Sequence, residues 1–333
     1  MRFMKKAGVA RVGIALFFLV IFAAQGQKAG PPDQPQSIPA TQSSNLQLNN
    51  TNVWLQLTGV TDNTASLVFY LPTTATNSIV NLFFTTNCEV LSSWSRVLRC
   101  VPGQTNLVVT NLPCGQGFFM VSSSIRPGFD QQFLPANDDG SSAQVTLPFT
   151  MNFLSNSEST LYVNNNGNVS FDKSLSTYSP VNLMSAGVKI IAPFWADVDT
   201  RSPSPGVVQY GTNVVHGHNA FGVNWVNVGY YAFHADRLLS CQLVLIDRSD
   251  IAPGNFDMEF NYDRVEWQWG DVSVGSPPRA GYSDGITAYE LSGSGVNGAF
   301  MDTNTLTGLV YNSLKSSMLG RYVFQFRAGQ PLP

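Results

Sequence analysis

The heptapeptide FDMEFNY, residues 256–262, decides the fold class of this chain. Its apolar residues alternate with Asp, Glu and Asn, and this period of two predicts a β-strand with one apolar and one solvated face. The apolar positions then shift by one residue to Val265 and Trp267. A turn or bulge is therefore expected near Asp263 and Arg264.

The sequence on both sides of this segment predicts more short strands. Residues 242–246 (QLVLI) are apolar on both faces, which indicates a central strand covered on both sides. Residues 322–326 (YVFQF) alternate again and close the same unit. The region 137–329 is therefore predicted to be one β-rich domain.

Residues 46–124 contain further short apolar runs separated by turn residues, a pattern typical of a small β-sandwich. The predicted fold class is mainly β, with a small N-terminal β-sandwich followed by a larger β-rich domain. Residues 122–136 are interpreted as a joint, so a fragment of residues 137–333 is expected to fold alone. The Pro-, Gln- and Ser-rich residues 27–45 are typical of a flexible leader.

The first 26 residues have the pattern of a secretory signal peptide. Residues 1–11 are basic, residues 12–24 are all apolar, and Ala24 and Gly26 offer small side chains for cleavage. The apolar run is shorter than the roughly 20 residues needed to span a membrane. We therefore expect a mature chain that begins at Gln27, has no membrane span, and is secreted or placed at the cell surface.

Composition and motifs exclude several function classes. Charged residues make up 12% of the chain, and the net charge is −3. Such a chain is not expected to hold a nucleic-acid backbone, which needs clustered basic side chains. The sequence contains no G-x-S-x-G elbow, no G-x-G-x-x-G loop and no P-loop. No motif indicates an enzyme or a cofactor.

The four cysteines divide between the two predicted units. Cys241 sits in the predicted apolar strand and is interpreted as a buried free thiol. Export permits a disulfide among Cys88, Cys100 and Cys114. Both Cys88–Cys100 and Cys88–Cys114 remain open.

The second unit resembles a NIDO domain, the nidogen-type module of extracellular matrix and cell-surface proteins. The resemblance rests on seven ordered strings within about residues 138–328: LYVNNNGNVSF (161–171), IIAPFWADVDTR (190–201), VNWVNVGYY (223–231), QLVLIDRSD (242–250), GNFDMEFNYDRVEW (254–267), RAGYSDG (279–285) and GRYVFQFR (320–327). Residues 46–124 resemble short β-domains that precede other modules in secreted bacterial proteins, so a bacterial source is expected.

The NIDO resemblance implies a non-enzymatic adhesion or matrix-type protein that binds an extracellular protein or glycan. Two alternatives stay open at this point. A secreted carbohydrate-active hydrolase would need two carboxylates that meet only in the fold. A structural component of a cell envelope would be recognised by self-assembly.

Asp197 and Asp199 are two residues apart on a strand-like segment and are expected to share a face. Asp172, from the preceding predicted hairpin, would add a third carboxylate. Such hard oxygen ligands in an exported chain indicate calcium. The alternative is a strand-end pair that caps turns or pairs with Arg201. The segment 137–140 (NDDG) is a weaker calcium candidate and is more simply a turn.

Asp257, Glu259 and Asp263 form an acidic row on the predicted solvated face. The row is interpreted either as a docking face for a basic partner or a cation, or simply as a solvated face.

Two further patterns predict local structure or a metal. The run Asn164–Asn168 predicts a hairpin turn, because Asn and Gly tolerate positive φ. His216, His218 and His234 are the only histidines and together could bind zinc, although HGHN is more simply a loop between strands.

Overall fold

The computed structural model describes residues 19–21, 54–61, 64–70, 80–85, 95–100, 106–110, 117–203 and 206–333. The described chain is mainly β, which confirms the predicted fold class. It divides into two compact units, Met1–Glu89 with Arg96–Val121, and Val90–Ser95 with Ser122–Pro333. The predicted leader lies outside the described residues, and the signal peptide and the domain boundaries stay predictions.

Short strands form two sheets in the first unit. The strands are β1 (Leu19–Ile21), β2 (Trp54–Thr61), β3 (Thr64–Tyr70), β4 (Val80–Thr85), β5 (Ser95–Cys100), β6 (Asn106–Thr110) and β7 (Gly117–Ser122). One sheet has the order β2-β3-β6 and the other has the order β1-β7-β4-β5. Strand β1 falls within the apolar run of residues 12–24 and pairs antiparallel with β7.

The second unit also contains two sheets, with six and eight strands. Short 3₁₀ helices lie at Leu183–Ser185 and Leu309–Tyr311. The strands are β8 (Gln132–Phe133), β9 (Val145–Phe153), β10 (Asn156–Asn164), β11 (Asn168–Ser170), β12 (Ile190–Trp195), β13 (Val198–Asp199), β14 (Gln209–Val215), β15 (His218–Tyr230), β16 (His234–Asp247), β17 (Phe256–Val265), β18 (Arg279–Ser283), β19 (Ala288–Glu290), β20 (Arg321–Arg327) and β21 (Gln330–Pro331). The smaller sheet has the order β19-β18-β12-β11-β10-β9, and the larger has the order β21-β20-β17-β16-β15-β14-β8, with β13 paired to β15.

The inner faces of these two sheets pack together through aromatic side chains. The ring of Phe326 in β20 lies 5.7 Å from that of Phe153 in β9 and 5.3 Å from that of Tyr282 in β18. The hydroxyl of Tyr262 in β17 donates to the carbonyl oxygen of Pro193 in β12 at 2.7 Å. The second unit is therefore a sandwich with one aromatic core.

Strand β16 lies in the middle of the larger sheet and is buried on both faces across residues 242–246, as predicted. Its outer face is covered by the segment 123–134. Phe129 is fully buried and belongs to the same apolar cluster as Val244 and Ile246. Gly222 makes room for this ring, because a Cβ there would lie 2.5 Å from Cγ of Phe129. The segment that the sequence suggested as a joint thus belongs to the core of the second unit.

The predicted bulge is confirmed at Asp263. Ser240 pairs with Arg264 and Cys241 pairs with Tyr262, so Asp263 is the extra residue on β17. No helix in the described parts of the chain is long and apolar enough to cross a membrane.

Candidate functional site

Three aspartates converge in one pocket of the second unit. Asp138, Asp139 and Asp197 each offer one carboxylate oxygen, and these oxygens lie within 4.8 Å of one another. Asp197 is buried and the other two are half-buried. The pocket has a volume of about 270 Å³, and its remaining lining residues are Tyr178, Tyr231 and Val272. We call it the acidic pocket.

The hairpin between β10 and β11 supports the segments that carry the aspartates of the acidic pocket. Asn164 pairs with Asn168, which confirms the predicted turn. Gly167 has a φ of 74°, in the left-handed region that favours glycine. A Cβ at this position would lie 1.7 Å from the carbonyl oxygen of Phe194, so the tip also needs glycine for close approach to β12.

Two buried asparagines at this tip hold the acidic segments in place. The side-chain amide of Asn165 donates to the carbonyl oxygen of Val198 at 2.6 Å and to that of Asp138. The amide of Asn166 donates to Oδ1 of Asp139 at 2.8 Å, and its Oδ1 accepts from the backbone N–H of Val198 at 3.0 Å. The hairpin therefore ties the 138–139 segment to the strand that follows Asp197.

Two carboxylate oxygens in the acidic pocket lack a donor. Oδ1 of Asp138 and Oδ2 of Asp197 are buried, and neither accepts a hydrogen bond from any described residue. The other oxygen of Asp138 lies 3.1 Å from the Arg201 guanidinium. Leaving a buried polar atom unsatisfied costs about 1–3 kcal/mol. Two such atoms in one pocket therefore favour a ligand that carries positive charge.

Burial raises the pKa of Asp138 to about 6, with further increases from the charges of Asp139 and Asp199 and a decrease from Arg201. Burial likewise raises the pKa of Asp197 to about 6; a hydrogen bond with Ser273 opposes this rise, and the charges of the neighbouring carboxylates add to it. Both shifts come from desolvation and like charge. A bound cation would lower both pKa values, because it stabilises the charged form of each carboxylate.

The structure separates the three aspartates that the sequence suggested as calcium ligands. Only Asp197 lies in the acidic pocket. Asp199 accepts hydrogen bonds from Arg201 at 2.9 and 2.6 Å, as the alternative interpretation predicted. Burial raises the pKa of Asp199, but these hydrogen bonds outweigh it and hold the pKa below its usual value. Asp172 is exposed, and its Oδ1 lies 3.2 Å from Nζ of Lys189.

The weaker candidate, residues 137–140, supplies two of the three converging carboxylates. The segment is also a turn, as predicted, because Oδ1 of Asn137 accepts from the backbone N–H of Gly140 at 2.6 Å. In the sequence, the signal for these two carboxylates was a pair of adjacent aspartates in a predicted turn. Their approach to Asp197 depends on the buried hairpin tip.

A family model described as NIDO related matches residues 127–309, which is more than half of the chain. The chain belongs to the NIDO-related family. The match contains all three aspartates of the acidic pocket and the hairpin that positions them. The NIDO resemblance seen in the sequence is thereby confirmed.

The NIDO-related chain is also similar to alpha-tectorin. It is 29% identical to the mouse protein over 165 residues, which is 43% of this chain and 7% of the relative. It is 28% identical to the human protein over the same length and shares. The chain thus spans about 7% of the length of these relatives. No solved structure matches the chain significantly.

The prediction that this face of β17 is solvated is wrong for this NIDO-related domain, because Asp257, Glu259 and Asp263 are all buried. Nε of Arg126 lies 2.6 Å from Oε2 of Glu259, and Nε of Arg321 lies 3.6 Å from the same oxygen. Burial raises the pKa of Glu259, but the hydrogen bond from Arg126 and the nearby charges outweigh it and lower the pKa. The row is thus neither a solvated face nor an accessible docking face.

The other two carboxylates of the row are also fully engaged. Asp257 lies 2.9 Å from Nη1 of Arg248 and 2.7 Å from Nη2 of Arg327. Asp263 accepts from the backbone N–H and the hydroxyl of Ser124 at 2.9 and 2.8 Å. We call Asp257, Glu259 and Asp263 the paired row.

A second pocket of about 270 Å³ lies beside Tyr230, Trp267 and Trp269. We call it the aromatic pocket. Its other lining residues are Arg237, Gln268, Asp271, Val274 and Met301. The loop 270–275 contributes Val272 to the acidic pocket and Val274 to the aromatic pocket, and these side chains are 58% and 68% exposed.

Neither the histidines nor the described cysteine form a metal site. Among the described residues, only the aspartates of the acidic pocket bring three possible metal ligands together. His216 lies in the turn between β14 and β15, as predicted. His234 stacks on Tyr230 with 4.6 Å between ring centroids. Cys241 is buried and free, which confirms its interpretation.

The predicted disulfide stays a prediction. Cys88 and Cys114 lie outside the described residues. Cys100 ends strand β5, and its side chain is not among those described.

Proposed function

We propose that the protein is an exported, non-enzymatic binding protein of the matrix or cell-surface type. It contacts an extracellular protein or glycan through its NIDO-related domain. Membership of the NIDO-related family and similarity to alpha-tectorin support this proposal. The signal-peptide pattern of residues 1–26 supports export.

One observation carries the proposal. The loop 270–275 presents two exposed apolar side chains between an aromatic pocket and an acidic pocket. Trp269 is half-buried at the edge of the aromatic pocket. Aromatic side chains with polar neighbours provide large contact area and directed hydrogen bonds, which suits recognition of proteins and glycans.

The test is an array of glycans and matrix proteins probed with the mature chain, with calcium and with a chelator. Val274→Asp places a charge in the loop at an exposed position, so the fold is retained. Ile286→Asp is a matched control, because Ile286 is 84% exposed and lines neither pocket. We expect Val274→Asp to lose binding and Ile286→Asp to retain it. Equal binding by both variants, or no ligand for the wild type, would contradict the proposal.

A secreted hydrolase is the second candidate, because Asp138 and Asp197 share a pocket and both have a pKa raised to about 6. One oxygen of each carboxylate lies within 4.8 Å of the others, which is compatible with the separation of about 5–5.5 Å between the carboxyl groups of retaining glycosidases. Membership of the NIDO-related family favours binding over hydrolysis. Release of reducing ends from an array glycan, abolished in Asp138→Asn, would replace the binding proposal with this one.

A further inference from the structure

We propose that the acidic pocket is a calcium site whose protein ligands are Asp138, Asp139 and Asp197. The inference goes beyond the proposed function and does not depend on it, since ion binding is measured without any macromolecular partner. It also differs from the set suggested by the sequence, in which Asp199 and Asp172 accompanied Asp197.

The first observation is the distance between the ligand atoms. Calcium binds carboxylate oxygens at about 2.3–2.6 Å, so two oxygens on one ion are at most about 5 Å apart. The three oxygens of the acidic pocket lie within 4.8 Å of one another. One ion can therefore contact all three with little movement of the chain.

The second observation is the unpartnered oxygen of Asp197. This residue is 1% exposed, and its Oδ2 is buried without a hydrogen bond from any described residue. Oδ1 of Asp138 is in the same condition in the same pocket. Buried polar atoms are nearly always satisfied in folded proteins. A cation between the carboxylates would satisfy both atoms at once, which neither a turn nor a cap explains.

The third observation is the charge balance. The ion pairs of the described chain bring a single guanidinium, that of Arg201, to this region. It lies 2.6 Å from Asp199 and 3.1 Å from Asp138. One positive charge therefore serves four carboxylates, including those of Asp139 and Asp197. A doubly charged ion would offset the excess, and a partly desolvated site strengthens that attraction.

Existing contacts already hold two of the three proposed ligands in place. Asn166 fixes one oxygen of Asp139, and Arg201 fixes one oxygen of Asp138. Each interaction leaves the second oxygen of its carboxylate available. Calcium takes about 6–8 oxygens, so water from the open side of the pocket would fill the remaining positions.

The experiment titrates calcium chloride into the full chain after chelator treatment, followed by calorimetry and thermal unfolding. Calcium that binds only the native state raises the melting temperature as its concentration rises. Affinities of extracellular modules suggest a Kd of roughly 10⁻⁴–10⁻³ M. We expect Asp197→Asn and Asp139→Asn each to weaken binding by at least about tenfold.

Asp172→Asn is the matched control, because it removes an exposed carboxylate outside the acidic pocket. It should keep the wild-type affinity and the calcium-dependent shift. Asp139 is half-buried, so Asp139→Asn keeps the test valid if Asp197→Asn fails to fold, with far-ultraviolet circular dichroism as the check. Three results would overturn the proposal: no shift with the wild type, an unchanged affinity in folded Asp139→Asn, or a shift of equal size with magnesium in place of calcium.

Discussion

The paired row on β17 and the acidic pocket each contain three aspartate or glutamate residues in the same domain, and their surroundings are opposite. In the paired row, Arg126 and Arg321 approach Glu259, while Asp257 has two arginines of its own. In the acidic pocket, two buried oxygens have no donor among the described residues. Burial alone therefore does not distinguish a structural carboxylate from a ligand. The presence or absence of a hydrogen-bond donor or an arginine beside the carboxylate does distinguish them.

The pKa shifts follow the same division. Arginine hydrogen bonds and charges outweigh burial at Glu259, so its pKa falls. Burial dominates at Asp138 and Asp197 and neighbouring carboxylates add to it, so both pKa values rise to about 6. The paired row is complete without any further ion, whereas the proposed calcium ion would complete the acidic pocket.

The largest expected effect comes from deleting the segment that covers the paired row. A fragment of residues 137–333 loses Ser124, Arg126 and Phe129, which contact β16 and β17. We expect this fragment to show no cooperative unfolding, because a broken buried ion pair and a lost buried aromatic ring each cost about 3–5 kcal/mol, a large part of the about 5–15 kcal/mol that stabilises a domain. A fragment of residues 122–333 should unfold cooperatively in urea. Equal midpoints for both fragments would show that the segment is only a joint.

The next effect comes from removing one charge of the paired row. Glu259→Gln leaves Arg126 and Arg321 without their shared carboxylate, and breaking a buried pair costs about 3–5 kcal/mol. Denaturant unfolding of the full chain measures this loss. Asp172→Asn is the surface comparison and should cost less than about 1 kcal/mol, because its ion pair with Lys189 is solvated. Similar losses in the two variants would contradict the distinction.

Lowering the pH should gradually remove the stabilisation that Glu259 gives the folded chain. Its pKa is lower in the folded chain than its ordinary value of 4.5, so the folded state binds this proton less readily than the unfolded state. The stabilisation is therefore complete above about pH 4.5 and is lost as pH falls through the lower folded value. The difference in unfolding free energy between wild type and Glu259→Gln should shrink over that interval. A constant difference would exclude Glu259 as its source.

The smallest effect has the opposite sign. In chelator at neutral pH, Asp197→Asn removes a charge that burial and three neighbouring carboxylates disfavour. We expect the unfolding free energy to rise by about 1 kcal/mol, roughly the value of one satisfied polar group. With calcium present, the same variant should be less stable than the wild type. If Asp197→Asn instead lowered the unfolding free energy by several kcal/mol in chelator, Asp197 would be a structural carboxylate like those of the paired row.

Much of the fold was readable from local patterns. The central position of β16, the bulge at Asp263 and the hairpin at 164–168 each depend on neighbouring residues, so alternation and turn chemistry were sufficient. The solvated face of β17 was mispredicted because its cover, the segment 123–134, lies more than 100 residues away in sequence. Alternation shows that a strand has two faces, but not what packs on the second one.

The candidate site was predictable only in part, for the same reason. Spacing identified Asp197 and suggested Asp199, which instead pairs with Arg201 two residues along. Asp138 and Asp139 reach the pocket through contacts with Asn165 and Asn166, which are in turn fixed to the strand at Val198. No spacing rule connects three segments that meet only after the sandwich has formed.

The buried thiol of Cys241 can report how often the middle of the larger sheet opens. Burial raises the pKa of this thiol well above its usual value, and a thiol must ionise to react. An alkylating reagent can therefore modify Cys241 only while β16 is separated from its neighbours. The rate at which mass spectrometry detects the modified peptide reports how often the sheet opens. The same seclusion protects the residue from oxidation.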